Sequence, residues 1–596
     1  MTSSTDLPPA LSSMWRLCRL GYRHEPRLML ASFALAQLAG VPGAIVALWL
    51  LLFGKGIEQH RPGLVLWAAA GMAVTAATTW LIGIYSTRVQ RRFRDKVGIA
   101  LEAHVASLQA SIVTIAHQER PEHLDRLAML RDQVFVLEHM YMSLFSTCAW
   151  ILGLGVTIVL LASVHLALAL LGVLAIPAVL ASTWRPAVER VAQERAAQPT
   201  RLARHLFTVA TTAAPGKDVR VTGIGERLIA ARREAWMRGF APVAAARWAS
   251  AGWHAAAWSV FAAGYVGAVV FVALGLRAPV GSVLLVLAAG SALSRFVSGT
   301  VGELGFLRGF WVYGARRLAW LEDYAASVAA AAHASPPPAL KHGINFDRVS
   351  FAYPGTSKQV LDDVTVSFPA GSVVAIVGEN GAGKTTMVKL LAKMYEPTSG
   401  AIVVDGVALA RIRAEEWRGR LAGAFQDFFR FEFAARRAVG LGDVARLDDD
   451  RAVTNAVRRA GADDVLARLP SGLATQLGPT WPAGVELSFG QWQKLALARG
   501  FMRDTPLVVV LDEPTAALDA ETEHALFERY AEAARASRAD GRITILVSHR
   551  FSTVRMADLI VVLDGARVAE TGTHDALMAT GGPYAQLYEI QAAAYR

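Results

Sequence analysis

The stretch Gly378-Glu379-Asn380-Gly381-Ala382-Gly383-Lys384-Thr385-Thr386 decides how the C-terminal half of the chain folds. Its spacing is Gly, four residues, Gly-Lys-Thr, the P-loop pattern. An apolar run over 372–377 precedes it and a helix-patterned run over 385–394 follows. Strand, glycine turn and helix are the context this pattern requires. The glycines allow backbone N–H groups to approach phosphate oxygens, and the helix N-terminus adds a favourable dipole. Lys384 is expected to reach the terminal phosphates, and the Thr385 hydroxyl to hold Mg²⁺. The stretch therefore predicts an α/β P-loop domain.

A second apolar run, 507–511, ends in Asp512-Glu513. A carboxylate at the end of such a strand suits a Mg²⁺ site, through water. The next carboxylate is then placed to polarise a water for in-line attack on a γ-phosphate. A carboxylate capping a strand for structural reasons is the bland alternative, and the P-loop upstream outweighs it.

Upstream, the composition changes. The 596 residues are 54% hydrophobic and 18% charged, where soluble domains average roughly 25% charged. That excludes intrinsic disorder and argues against an ordinary soluble enzyme. Only two cysteines, Cys18 and Cys148, exclude a disulfide scaffold or a cysteine-rich metal site. The net charge of +11 is unevenly spread. Residues 1–340 carry 31 Lys and Arg against 18 Asp and Glu, whereas 341–596 carry 29 against 31. Positive charge that travels with the hydrophobic half suits basic membrane-flanking loops, not a nucleic-acid groove.

Six stretches are apolar over the roughly 20 residues that a bilayer needs: 28–53, 64–86, 143–162, 164–184, 251–275 and 281–306. The third and fourth are one run broken near Ser163–His165, which reads as a tight hairpin. Pro42 and Pro177 fall inside spans and are expected to kink them. Met1–Pro9 has no basic region of a signal peptide, and no long Arg/Ser-rich transit segment is seen. Residues 11–27 mix apolar residues with Arg16, Arg19, Arg23 and Arg27: a surface amphipathic helix, or merely a basic flank. The basic residues of 1–27, 87–142 and 185–250 place both termini and the two long loops in the cytoplasm. Those loops are helix-patterned, so the spans are expected to run on beyond the membrane and fold back near 117–124 and 215–225. Arg295 and Glu303 lie in or near the sixth span, where they would pair, line a cavity, or sit innocuously at its edges. Residues 325–340, with Pro336-Pro337-Pro338, read as a linker.

Taken together, the P-loop, Asp512-Glu513 and Leu487-Ser488-Phe489-Gly490-Gln491 resemble the nucleotide-binding domain of an ABC transporter. Six spans before one such domain resemble an exporter-type half-transporter. The resemblance implies an α-helical six-span membrane domain over 1–325, a linker over 326–340 and an ABC-type α/β P-loop NTPase domain over 341–596. It assigns Tyr353 to stacking on adenine and Gln426 to Mg²⁺ and the attacking water. It assigns Glu513 to polarising that water, His549 to the γ-phosphate, and Asp519 to a loop between two nucleotide sites. Ser488, Gly490 and Gln491 would cap the γ-phosphate of ATP held by another subunit, so a dimer is implied. A homodimer is favoured over a heterodimer, because Lys384, Asp512, Glu513 and His549 are all present.

Two departures stand out. Phe489 replaces the first of two glycines in the usual Leu-Ser-Gly-Gly-Gln, and Pro479 stands where many exporters carry a glutamate. The first predicts a working site with altered affinity; the second leaves inter-subunit coupling in question. The function implied is ATP- and Mg²⁺-dependent export of a small molecule or peptide by alternating access, in a bacterial inner membrane. Lipid flipping, import through the same fold, and a regulator without net transport are the alternatives.

Overall fold

The computed structural model describes residues 7–594, apart from 121–122, 124–125, 128–129, 131–134, 308–311, 330–332, 514–537 and 549–553. The chain divides into two compact units: 1–108 with 126–323, and 109–125 with 324–596.

The first unit is helical. Its elements are α1 (Ala10–His24), α2 (Pro26–Gly40), α3 (Pro42–Glu58), α4 (Pro62–Ser111), α5 (Phe135–Val164), α6 (Ile176–Thr211), α7 (Gly225–Val270), α8 (Val280–Phe306) and α9 (Val312–Ala329). The 50 residues of α4 and 46 of α7 reach about 75 and 69 Å at 1.5 Å per residue. Both exceed the roughly 30 Å of a bilayer core, so each can span it and continue beyond. After α6 the chain turns within 212–224, where Gly223 caps a short helix at φ +65°. The α6 and α7 helices then pack along each other. The expected fold-back near 215–225 is found.

Two prolines mark helix starts. Pro42 opens α3 after Val41, and Pro177 opens α6 after Ala175. Each lacks the N–H that a continuous helix would use, and a first-turn position removes that penalty. Among the described residues, five helices are long and apolar enough to cross a membrane: Pro26–Glu58, Pro62–Ser111, Leu137–Val164, Gly225–Gly275 and Val280–Phe306. The expected span over 164–184 corresponds to a shorter apolar helical stretch, Leu166–Ser182, built from a 3₁₀ turn (Leu166–Ala169), a short helix (Leu170–Leu174) and the start of α6. His165 causes the first interruption by capping that turn, its ring nitrogen accepting from Ala167 N–H at 3.1 Å. Pro177 causes the second. The hairpin itself is present: Gly172 faces Ile158, and Leu161, Leu168 and Leu171 share one buried cluster.

The N-terminal segment is a helix. Ser13, Leu17 and Gly21 form its buried face, with Gly21 against the Tyr141 ring, whose hydroxyl donates to Leu17 O at 2.5 Å. Leu11, Trp15 and Tyr22 stay exposed. Glu303 accepts from Ser143 Oγ at 2.5 Å, and Arg295 is exposed. Among the described residues no ion pair joins them.

The second unit holds two sheets. One is antiparallel, ordered β2 (Gln359–Pro369), β1 (Gly343–Ala352), β4 (Ser399–Val404), β5 (Val407–Ala408). The other runs β10 (Arg567–Gly572), β9 (Leu559–Asp564), β3 (Val373–Gly378), β8 (Ile543–Val547), β7 (Val508–Asp512), β6 (Leu421–Ala424). It is parallel except for β10. Its inner strands read as unbroken apolar runs because both faces are covered by separate buried clusters. The P-loop leaves β3 and Asp512 ends β7, with only β8 between them. Both carboxyl ends therefore open on one crevice, where open α/β sheets place their ligands.

Residues 109–125 belong to this second unit. Ile115 N–H donates to Met394 O at 3.0 Å, and the Tyr395 hydroxyl to Glu119 Oε2 at 2.5 Å. Arg418 donates to Val113 O and, at 2.7 Å, to Lys393 O. Lys393 is buried with its ammonium on the carbonyls of Leu409 and Ile412 at 2.9 and 2.5 Å. Burial pushes its pKa down, and the carbonyls supply the contacts that water would have made.

Candidate functional site

The loop after β3 leads into α10 (Lys384–Leu391). Gly383 caps that helix at φ +102°, and a Cβ there would meet Leu361 Cδ2 at 2.7 Å and Val360 O at 2.8 Å. Gly378, at φ +150°, would bring a Cβ to 2.3 Å from Leu563 O. Only glycine fits either position, so the turn is forced by backbone conformation and by crowding together.

The cleft at this turn has a volume of about 1000 Å³. Tyr353, Gly378, Glu379, Asn380, Gly381, Gly383, Lys384, Thr385, Thr386, Gln426 and Glu513 are among the residues that line it. Ala382 turns inward and is buried with Leu361 and Met387. Ser488, Gly490 and Gln491 are not among the lining residues. They head α12 (Phe489–Gly500); α11 is Asp450–Arg459. Ser488 Oγ accepts from Gln491 N–H at 3.3 Å, and the Gln491 side chain accepts from Ser488 N–H at 2.8 Å, a reciprocal cap. His549 and Asp519 lie outside the described residues.

Lys384 is buried, and its ammonium donates to Gly378 O and Glu379 O, both at 2.9 Å. Burial lowers its pKa, and the charges of Glu513 and Asp512 oppose that shift. Thr385 Oγ1 donates to Asp512 Oδ1 at 3.3 Å. Asp512 is fully buried, and its Oδ2 has no hydrogen-bond partner among the described residues. Burial pushes the Asp512 carboxyl up to about 6, against the Thr385 hydrogen bond and with the charge of Glu513. An orphaned buried oxygen beside a threonine hydroxyl is a hard oxygen donor set of the kind Mg²⁺ takes alongside phosphate and water. These residues fit that ion.

Glu513 has φ +45°, which a residue with a Cβ adopts only at a cost of order 1–2 kcal/mol. Its N–H donates to Val547 O at 3.0 Å, which holds the bend. The turn swings the carboxylate out of the strand and into the cleft, where Oε2 accepts from Gln426 Nε2 at 3.0 Å. Tyr353 is held edge-on by Phe351 and Tyr395, with centroids at 5.0 and 5.3 Å, and its hydroxyl meets Thr386 Oγ1 at 3.0 Å.

Three residues escape sequence reasoning. Val360 and Leu587 line the cleft from β2 and from α13 (Pro583–Ala594). Gln493 Nε2 donates to the backbone O of Glu513 at 3.4 Å. Its place on α12, five residues after Ser488, was the available signal.

A family model described as "ABC transporter" matches residues 361–516. The chain is 41% identical over 257 residues to an ATP-dependent lipid A-core flippase of Cupriavidus pinatubonensis, covering 43% of this chain and 42% of that protein. It is 40% identical over 260 residues to the protein of the same description in Chromobacterium violaceum, covering 43% and 42%. The chain thus matches about two-fifths of the length of these relatives. Among solved structures, a bacterial Atm1-family ABC exporter with ATP bound superposes with a TM-score of 0.72. That likeness covers 95% of this chain and 98% of the other, at 24% identity. The chain therefore has the fold of an exporter-type ABC half-transporter, with apolar helices and an ABC nucleotide-binding domain on one polypeptide.

Proposed function

We propose that the chain is an ATP-driven transporter that hydrolyses ATP in the 378–386 cleft and moves its cargo outward across a membrane. One observation carries this reading: Thr385 joined to buried Asp512, and Gln426 joined to Glu513, in the cleft that Lys384 shares. In this reading Tyr353 stacks on the adenine, and the N–H groups of 378–386 hold the phosphates with Lys384. A phosphate anion beside Lys384 restores the ammonium charge that burial disfavours. Thr385, Asp512 and Gln426 hold Mg²⁺, which when bound neutralises charge on the phosphate oxygens. Glu513 accepts a hydrogen bond from the attacking water, and Gln426 fixes the carboxylate that does so.

Ser488, Gly490 and Gln491 do not line their own cleft, which supports a role on a second copy's ATP. The working unit is then a homodimer with two composite sites. Residues 1–325 form the membrane domain, 326–340 the linker and 341–596 the nucleotide-binding domain, which faces the cytoplasm of a bacterial cell. ATP must favour the closed dimer over the open one for its binding to move the spans.

For the cargo, a small molecule or peptide is one reading and a lipid the other. The relatives described as lipid A-core flippases favour the lipid, although they match 43% of the chain. Reconstitution of the full chain in vesicles tests both. ATP-dependent movement of a fluorescent lipid between leaflets supports flipping, and accumulation of dye or peptide in inside-out vesicles supports export. ATP hydrolysis with neither, across a panel of lipids, dyes and peptides, contradicts transport and leaves a regulator.

A further inference from the structure

Phe489 stands at the first turn of α12 with about half its surface exposed (49%), where its ring gains little from burial. It is nevertheless held on two sides. The Phe428 ring lies 5.5 Å away, centroid to centroid, and the Arg430 guanidinium sits 5.5 Å over its face. Both contacts come from one segment, Gln426-Asp427-Phe428-Phe429-Arg430-Phe431, which begins with the glutamine bonded to Glu513.

The other end of α12 grips the same segment. Arg499 lies 4.5 Å over the Phe431 ring, and its guanidinium donates to Phe429 O at 3.3 and 3.4 Å. Phe431 also stacks on Phe433 at 5.9 Å. A segment clamped at both ends of one helix moves with that helix. Glycine at 489 would leave only the Arg499 end.

We infer that Phe489 is a positioning residue that ties the head of α12 to the Gln426–Glu513 hydrogen bond of the same copy. This rests on the proposed ATPase dimer. There Ser488 and Gln491 meet the nucleotide of the other copy, so the Phe489–Phe428 contact passes that engagement to the carboxylate in this copy's own cleft. The chain of contacts is Ser488 cap, Phe489, Phe428, Gln426, Glu513. Phe489 touches no reacting atom. It acts through Phe428 and Gln426, and it does so because it is aromatic.

The test is a double-mutant cycle on the full chain in nanodiscs, with Phe489→Gly, Phe428→Ala and the double variant. Turnover and nucleotide affinity are read separately, affinity by displacement of a fluorescent ATP analogue. Each single variant should lower kcat roughly three- to tenfold, a change matching the usual worth of an aromatic pair, and should leave nucleotide affinity unchanged, in contrast to the altered affinity expected from the sequence, because Phe489 does not line the cleft. The double variant should fall no further than the larger single effect. Phe489→Tyr, which keeps the ring, should restore kcat. The inference is overturned if Phe489→Gly keeps wild-type kcat, if the two effects multiply, or if Phe489→Tyr behaves like glycine. A wild-type chain without turnover would instead sink the ATPase reading beneath it, so the two failures are distinguishable.

Discussion

At the residue scale, the cleft depends on positions that tolerate nothing else. Gly383→Ala puts a methyl 2.7 Å from Leu361 and 2.8 Å from a carbonyl, at a φ that alanine resists. We expect loss of ATP binding and a fall in Tm, measured by thermal melting with and without nucleotide. Asp512 makes the second prediction. Its pKa is raised to about 6 from the ordinary 3.8, so the folded chain holds more protons than the unfolded one between those values. Its contribution to stability therefore falls as pH rises from about 4 to 6, by about 2 kcal/mol in the absence of metal. The stability difference between wild type and Asp512→Asn, read from denaturant melts, should change by this amount across that range, and parallel curves would contradict it. These residues were legible because a P-loop and a strand-end carboxylate pair are local patterns. Leu587 and Gln493 were not, because only the fold brings a C-terminal helix and a distant backbone carbonyl to the same place.

At the element scale, helix ends carry the information. Ser488 and Gln491 cap α12 reciprocally, so Ser488→Ala should cost about 1 kcal/mol of stability, read from denaturant midpoints. A loss well below that would mean the cap is not the anchor of α12. The segment 109–125 makes a second test. Tyr395→Phe removes the hydroxyl of a buried ring that donates to the exposed Glu119 carboxylate. We expect faster proteolysis within 112–120 and less transport per ATP, with ATP binding intact. The lengths of the long helices and their fold-back near 215–225 followed from apolar runs extended by amphipathic ones. The interruption over 164–184 did not follow from hydropathy. There a ring nitrogen of His165 and the missing N–H of Pro177 decide the outcome, and a hydropathy window averages over both.

At the scale of the whole molecule, composition separated the basic, apolar half from the neutral one, and the fold has the same two-part character. What composition could not convey is that 109–125 belongs with the second unit, because that membership rests on individual contacts to Met394, Tyr395 and Arg418. The cargo was equally out of reach. In the proposed dimer it would depend on side chains facing a cavity that two copies enclose together.

The central claim is that one cleft on this chain turns over ATP through Glu513 when two copies meet. The most direct measurement is ATPase turnover of the purified chain alone in lipid nanodiscs, beside Glu513→Gln. Glutamine keeps the shape and the backbone of the bend but cannot take up the water's proton. The account predicts clear wild-type turnover, a loss of about a hundredfold or more in the variant, and retained nucleotide binding in both. Equal turnover in the two proteins would contradict the role of Glu513, and no turnover in the wild type would contradict a self-sufficient homodimer.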